Sequence, residues 1–489
     1  MAYMHGIRVL ENATSVPTPS ENPAGVPIVF GVAPINQLAN PAGAVNKPVL
    51  CKTFTEAKAA FGYSTNYNAF TLCEAMDAFF KAFRVSPVIL VNVADLTNHA
   101  AAAAALTTKT VANMKFTLDE KDVVASSLEL KKNETVLVKG TDYTYSFDDD
   151  GSLNITFISS AVSNGDTITI KGQKMNSTSA KCGATSADIV GTFTANTGAS
   201  TGLELLRDIY PTFGLFPSLI LAPGFTDTTV GVALQEKCDD ISGIFRCDCV
   251  IDILASTAPT TTALESARAA YTSPHDMLVY PKVVWPGNED YPMDYSALFA
   301  ASLCAKDAAD ADGAPSLKTS NNELPISKAV LASGTEVHID IELANSFNGV
   351  GIVTVLNRSK WVSWGNNTAA YPASTDPKDR WIGVRRFFTW WSNSFIANYF
   401  EKVDNPGNPV LIESIVDSEN MRGNSFVANG KCAGMRIEFN KEDNDVANLI
   451  EGKFTFRQYL APFTPAEQII DVLEFDPTML EEAFSGGEE

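Results

Sequence analysis

Three cysteines that lie close together in the sequence are its nearest approach to a metal-binding group. Cys238, Cys247 and Cys249 are thiols, and the last two would lie on one face of a strand because side chains alternate along it. Structural zinc takes four ligands, and the sequence offers no fourth beside these three. The eight cysteines are scattered through the whole chain, which favours reduced core thiols over a disulfide framework. They occupy positions 51, 73, 182, 238, 247, 249, 304 and 432.

The other residue types that serve catalysis occur without a recognisable pattern. The four histidines, His5, His99, His275 and His338, form no His-Glu-x-x-His pair. The chain has no Gly-x-x-x-x-Gly-Lys-Ser/Thr phosphate loop, no Gly-x-Gly-x-x-Gly after a predicted strand and no Gly-x-Ser-x-Gly elbow. The acidic run 148–151 lacks the spaced ligands and closing Glu of a calcium loop, so a solvated hairpin turn is favoured. We therefore predict no catalytic residue, no cofactor, no metal and no enzymatic activity.

Charge and hydropathy narrow the remaining functions. The 489 residues carry a formal net charge of -21, which works against nonspecific contact with nucleic acid or anionic membrane. The N-terminus lacks the basic start and apolar run of a signal peptide, and no apolar run is long enough to span a bilayer. We expect a protein made in the cytoplasm, without membrane insertion, that folds into two to four domains.

Most of the chain has the pattern of an α/β protein, expected to occupy residues 26–111 and 176–370 as one discontinuous domain. Apolar runs predict buried strands at 26–32, 85–93, 218–223 and 249–254. Helical spacing predicts helices at 55–61, 72–83 and 229–241. Beyond these, we expect loops as far as about residue 325 and further strands near 336–343 and 351–356.

The stretch from 112 to 175 interrupts this pattern. Short alternating segments separated by Gly and Asp turns predict a small antiparallel β-sandwich, inserted into the α/β domain. The Ser-, Thr- and Gly-rich stretch 176–202 would be the linker that returns the chain to that domain.

A C-terminal α+β domain is expected over 371–465, and it begins with an aromatic helix. Aromatic and apolar residues recur every three or four positions between 381 and 400, which predicts one broad buried face. Its members are Trp381, Val384, Phe388, Trp391, Phe395 and Tyr399. Arg380, Arg385 and Arg386 stand at the start of this helix. Because Arg pairs well with carboxylates, they are candidates for ion pairs across a subunit boundary, with simple surface exposure as the alternative.

Both ends of the chain have the character of extended arms. Residues 1–25 hold a possible short strand that includes Ile7, Arg8, Val9 and Leu10, followed by a Pro-rich tether. Residues 466–489 hold an apolar run of strand length at 469–475, bracketed by Pro465 and Pro477, and no basic residue follows Arg457. Each strand could instead complete the sheet of its own domain.

Two segments of the C-terminal half carry recognisable motifs. Residues 356–368, which include Val362, Trp364, Gly365 and Thr368, hold a Trp-Gly strand motif, and residues 379–388 hold a Trp-Ile-x-Val-Arg-Arg helix motif. In both segments the chain resembles contractile tail sheath proteins. Further segments are similar to the family and occur in the family's order along the chain, at 25–31, 79–93, 300–315 and 452–475. The sequence departs from the family at Asn366-Asn367 and at Lys306-Asp307, which puts inter-subunit roles of those positions in doubt.

The resemblance implies a structural protein that polymerises helically around a tail tube and contracts to drive the tube through a host envelope. It implies an α/β sheath core with strand arms that join the sheets of neighbouring copies, through Ile7 to Leu10 at one end of the chain. At the other end the arm residues are Ile470, Asp471, Val472, Leu473, Glu474 and Phe475. The implied partners are further copies of the chain, a tail tube protein, baseplate proteins and a tail terminator. The implied location is the tail of a virion or phage-tail-like particle, assembled in the host cytoplasm.

Two other functions stay open. The inserted β domain could make the chain a surface-binding, adhesin-like module. A hydrolase whose site is assembled from distant residues is the third possibility, because such a site leaves no local motif.

Overall fold

The computed structural model describes residues 20–21, 24–254 and 260–485. The strands that precede the insertion are β1 (Ser20–Glu21), β2 (Val26–Gly31), β3 (Val49–Cys51), β4 (Val85–Ser86) and β5 (Val88–Asn92). Those of the insertion are β6 (Ala104–Ala105), β7 (Lys109–Thr110), β8 (Lys115–Lys121), β9 (Glu129–Lys132), β10 (Thr135–Val136), β11 (Tyr143–Phe147), β12 (Ser152–Phe157) and β13 (Thr167–Gly172). Those that follow are β14 (Phe193–Thr194), β15 (Ala199–Ser200), β16 (Pro217–Leu221), β17 (Asp248–Asp252), β18 (Asp276–Val279), β19 (Lys282–Val284), β20 (Lys328–Val330), β21 (Ile352–Asn357), β22 (Trp361–Trp364), β23 (Cys432–Glu438) and β24 (Arg457–Pro462).

The helices lie mostly between the strands of the main sheet and at the C-terminal end. They are α1 (Phe54–Phe61), α2 (Thr71–Met76), α3 (Ser186–Val190), α4 (Ile209–Phe213), α5 (Thr228–Asp239), α6 (Thr261–Arg268), α7 (Tyr295–Ala309), α8 (Ile341–Asn348), α9 (Pro377–Arg380), α10 (Ile382–Tyr399), α11 (Pro409–Ala428), α12 (Val446–Ile450) and α13 (Pro477–Ser485). A π-helical turn, Asp77–Ala82, continues α2.

One eight-stranded sheet forms the centre of the molecule, in the order β22-β21-β18-β17-β16-β2-β5-β3. The six inner strands are parallel, and the two edge strands are antiparallel to their neighbours. β2, β5 and β16 are buried along their whole length, which explains their unbroken apolar sequence, because helices cover both faces of a parallel sheet. The four strands predicted from apolar runs are therefore all present.

The segments between residue 260 and residue 348 differ from the prediction. The expected loops contain α6, β18, β19 and α7; nearly all of α7 is buried, so its sequence lacks the polar face that reveals a helix. The strand expected at 336–343 is wrong, because Ile341–Asn348 is a helix. Asp340 caps it by accepting the Leu343 N–H at 2.8 Å.

The insertion consists of two small antiparallel sheets, β10-β9-β13-β6 with β7 also on β13, and β11-β12-β8. They share a hydrophobic cluster separate from that of the central sheet. The insertion begins earlier than residue 112, because β6 and β7 pair with its last strand. The stretch after it contains α3 and the β14–β15 hairpin besides loops.

The C-terminal part packs α10 against α11 and the two-stranded sheet β23–β24, an α+β arrangement. Each of the eight cysteines is buried, and none forms a disulfide within the described residues. No helix within the described ranges is long and apolar enough to cross a membrane.

Candidate subunit interface

The β23–β24 hairpin ends in a strand whose outer edge has no partner in the described part of the chain. Along β23, the outward N–H and C=O of Ile437 bond to the side chain of Asn420 on α11, at 3.0 and 3.2 Å. Ile437 lies opposite Gln458, so the main-chain groups of both residues face away from the hairpin. Asn420 thus covers the edge of β23, while the N–H and C=O of Gln458 on β24 stay open to a further strand.

The tail that follows β24 does not return to its own domain. Residues 463–476 form neither helix nor strand, and none of residues 468–475 makes a main-chain hydrogen bond within the described chain. The relative exposures of Ile470, Leu473 and Phe475 are 73%, 88% and 80%. A row of exposed apolar side chains is typical of an interaction surface.

The predicted strand at 469–475 is therefore not a strand in the single chain. Ile470, Asp471, Val472, Leu473, Glu474 and Phe475 have the composition of a strand, but a strand needs a neighbour to accept its hydrogen bonds. The alternative that the tail completes its own sheet is wrong. The short helix α13, which the sequence analysis did not predict, follows and is also exposed.

One ion pair ties the start of the tail to the body. An Arg380 Nη atom donates to Glu467 Oε2 at 3.0 Å, and Arg380 Nε donates to Asn367 Oδ1 at 3.0 Å. The Arg380 guanidinium also lies over the Trp381 ring, 3.9 Å from its centroid. A cleft of about 710 Å³ separates the tail segment 463–468 from the loop 315–321. Arg380 is partly exposed and remains a candidate for an inter-subunit contact.

Arg386 differs from both predictions for it, an ion pair across a subunit boundary and simple surface exposure. It is 5% exposed, and both its Nη atoms donate to the two carboxylate oxygens of Asp307 on α7, one of them at 3.1 Å. Burial alone would lower the pKa of Arg386, but the charge and hydrogen bonds of Asp307 raise it. Arg386 is thus engaged inside its own subunit, with a partner 79 residues away.

Arg385 is also buried, so simple surface exposure is wrong for it as well as for Arg386. One of its Nη atoms lies 3.8 Å from an Asp379 carboxylate oxygen, and its Nε has no partner in the described residues. Burial lowers the pKa of Arg385, although the nearby charge of Asp248 opposes this.

The aromatic face of α10 is core, but it is rotated from the predicted face. Phe387, Trp390 and Trp391 pack with Phe426 of α11, with ring centroids 5.4 to 6.0 Å apart. Phe388, Phe395 and Tyr399 of the predicted face are half-buried. The Arg422 guanidinium lies 3.7 Å from the centroid of the Trp391 ring and closes this cluster. The cluster fixes the position of α11 and, through it, of the hairpin.

The N-terminal residues Ile7, Arg8, Val9 and Leu10 lie outside the described residues. In the ranges that are described, no group of three or more His, Cys, Asp or Glu side chains is placed to hold a metal ion.

Comparison with known proteins bears on the whole chain. No protein-family model matches it. It is 28% identical over 502 residues to a tail sheath protein of Burkholderia phage BcepMu, and the match spans 96% of this chain and 95% of the phage protein. This chain is a tail sheath protein homologue. It is accordingly a structural sheath subunit.

The fold of this sheath homologue also matches solved assemblies. One is the sheath complex of an extracellular contractile injection system, PVC, in its contracted state, with a TM-score of 0.58 and 16% identity over 98% of this chain and 99% of that one. Another is the contracted helical sheath of the anti-feeding prophage, with a TM-score of 0.57 and 16% identity over 97% and 100%. A third is the anti-feeding prophage baseplate, with a TM-score of 0.57 and the same identity and coverage as the second. These matches establish the fold.

Sequence reasoning did not find the edge of the sheath homologue's hairpin. Its open groups are main-chain atoms of Gln458, and the only side-chain sign of it is Asn420, an ordinary residue in a helix. Asn366 and Asn367, where the sequence departs from the family, bond within the chain: Asn366 accepts from the Thr319 hydroxyl at 3.2 Å, and Asn367 orients Arg380.

Proposed function

We propose that this sheath homologue polymerises helically around a tail tube by exchanging strands between copies. The observation that carries the proposal is a complementary pair of unsatisfied features, the open outer edge of β24 and the exposed apolar tail 469–475. A strand added to a sheet edge gains main-chain hydrogen bonds worth about 1 kcal/mol each, so one arm contributes only a few kcal/mol. Repetition through a lattice turns such links into strong cohesion.

Further copies of the chain, a tail tube protein, baseplate proteins and a tail terminator would be the partners. The particle would be a virion tail or a phage-tail-like particle, assembled in the host cytoplasm. Contraction would carry the lattice from a metastable extended form to a shorter, wider and more stable one, with the energy stored at assembly. The arms at 1–25 and 466–489 would act as tethers that let subunits rotate and slide while their strands stay paired. Heterologous contacts that do not close on themselves generate the helix.

Replacing Gln458 with proline is expected to abolish tube formation. Proline removes the outward N–H of β24 while edge strands tolerate its ring, so the hairpin should persist and lose its receptor edge. The measurement is negative-stain electron microscopy of purified protein at neutral pH, with circular dichroism to confirm folding.

Gln458→Ala is the matched control. It also loses the bond from the Gln458 amide to Glu419 Oε2, which is 2.9 Å long, but it keeps the outward N–H. If Gln458→Ala forms tubes and Gln458→Pro does not, the result supports the β24 edge as the receptor for the arm. Tubes of equal length and number from both variants would exclude it.

The surface-binding alternative rests on the insertion, which has its own core and exposes Val136, Val138 and Ile158. Ala104 pairs with Gly172, so the chain enters and leaves the insertion at neighbouring positions and a short Gly-Ser linker can replace the residues between them. We expect this deletion to leave tube formation intact, because the arms and hairpin are untouched. Cell binding by the full chain that disappears with the deletion, in the absence of any tubes, would favour the adhesin-like function.

A further inference from the structure

Three carboxylates meet at the N-terminus of α7, those of Glu74 and Asp294 buried and that of Asp252 partly exposed. Glu74 belongs to α2, Asp252 ends β17, and Asp294 immediately precedes α7. The N–H of Asp294 donates to Glu74 Oε2 at 2.7 Å, and the N–H of Ser296 donates to Asp252 Oδ1 at 2.8 Å. The first N–H groups of a helix thus hold two of the three acids, as the helix dipole favours.

Two lysines face these acids and do not balance them. Lys282 Nζ lies 2.7 Å from Asp294 Oδ1. Lys181, on the turn Ala180–Gly183, faces Asp294 and Lys282, and it also faces Asp227, an exposed acid. Three ionised carboxylates would leave an excess negative charge in this cluster, in which Glu74 and Asp294 are buried.

The excess negative charge is energetically most costly on Glu74. Its side chain is 0% exposed, and its Oε1 has no hydrogen-bond partner in the described residues. An ionised oxygen without a partner is costly in a low-dielectric interior, whereas a protonated carboxyl carries no charge. Burial and then the charge of Asp294 raise the pKa of Glu74, and the same two causes raise the pKa of Asp252 to about 7.

The far end of α7 carries the contacts to the C-terminal part. Asp307 in its last turn pairs with Arg386 of α10. Asp310, which follows the helix, pairs with Lys431 beside β23. A helix of 15 residues is about 22 Å long, so α7 is a rigid link between the carboxylate cluster and the hairpin.

We propose that the Glu74–Asp252–Asp294 cluster binds a proton in the folded subunit. Release of this proton weakens the packing of α7 and, through α7, the support of the C-terminal helices. The inference concerns the folded subunit and does not depend on polymerisation. It makes this fold more stable in mild acid than at neutral pH.

The sign follows from proton linkage. Between the ordinary Glu pKa of 4.5 and the raised pKa of about 7 at Asp252, the folded cluster holds a proton that the unfolded chain has released. For one proton, the folding equilibrium constant then falls by up to about tenfold for each unit of rising pH. The stabilisation is fully present below the unfolded pKa and lost as pH rises through the folded pKa.

Glu74→Gln in the full-length chain tests this. Glutamine is close in shape, still accepts from the Asp294 N–H and cannot ionise. In wild type the folding equilibrium constant should fall by up to about tenfold for each pH unit through this proton, and the variant should lack that part of the pH dependence. The measurement is urea unfolding of dilute protein between about pH 5 and pH 7.5, the range over which these groups titrate. Burial also raises the pKa values of Asp276 and Asp122, so the difference between the two proteins, and not the wild-type slope, is decisive.

Glu323→Gln is the control, because Glu323 is an exposed carboxylate paired with Lys360. It should keep the wild-type slope. A weaker infrared band of protonated carboxyl at neutral pH in Glu74→Gln than in wild type would support the proposal. Parallel pH slopes in wild type and Glu74→Gln would overturn it. If Glu74→Gln does not fold, Asp252→Asn replaces it, and parallel slopes overturn the proposal there too.

Discussion

A chain that lacks residues 467–489 is expected to fold and to form no tubes. The deletion removes the exposed apolar tail but none of the buried clusters, since residues 469–485 are exposed throughout. Thermal unfolding should therefore change little, while the arm that would pair with the next subunit is gone. Electron microscopy and sedimentation, compared with the full-length chain at equal concentration, measure the loss.

Two shorter changes separate the parts of the tail. Ending the chain after Asp476 removes α13 and keeps the predicted arm, so tubes should persist. Asp471→Asn keeps the apolar side chains and should also leave tubes. Polymer of normal length from the 467–489 deletion would eliminate the C-terminal arm from the proposed function.

Removing the carboxylate of Asp307 is expected to cost about 3–5 kcal/mol of folding stability, because Arg386 would then be a buried charge without its partner. This is a large share of the stability of an ordinary domain. Asp307→Ala should lower the midpoint of thermal unfolding, followed by circular dichroism, and the C-terminal helices should lose their packing first.

The matched control replaces both members of the pair. The double variant Asp307→Leu with Arg386→Met fills the same space without charge and should recover most of the loss. Lys453→Ala breaks an exposed pair with Glu451 and should leave the midpoint unchanged. An unfolding midpoint of Asp307→Ala equal to that of wild type would contradict this prediction. It would mean that Arg386 does not depend on Asp307 and is available to another partner.

The family resemblance and the structural comparisons agree on the fold, but the structure separates three arginines that the sequence analysis treated alike. Arg380, Arg385 and Arg386 lie within seven residues of one another and look equivalent in the sequence. Arg386 reaches across to α7, Arg385 is enclosed, and Arg380 points to the tail. Spacing along a helix fixes the face on which a side chain lies, but not the element that packs against that face.

The sequence by itself determined the features that depend on local pattern. Unbroken apolar runs located the buried parallel strands, because burial on both faces removes the alternation of apolar and polar residues. The motifs at 356–368 and 379–388 indicated the resemblance to sheath proteins. Only the tertiary structure decided the rest: the buried helix α7, the pairing of Asp307 with Arg386, the carboxylate cluster at the start of α7 and the open edge of β24. Each depends on contacts between residues tens to hundreds of positions apart, or on main-chain groups that every residue carries, so no local pattern of side chains records it.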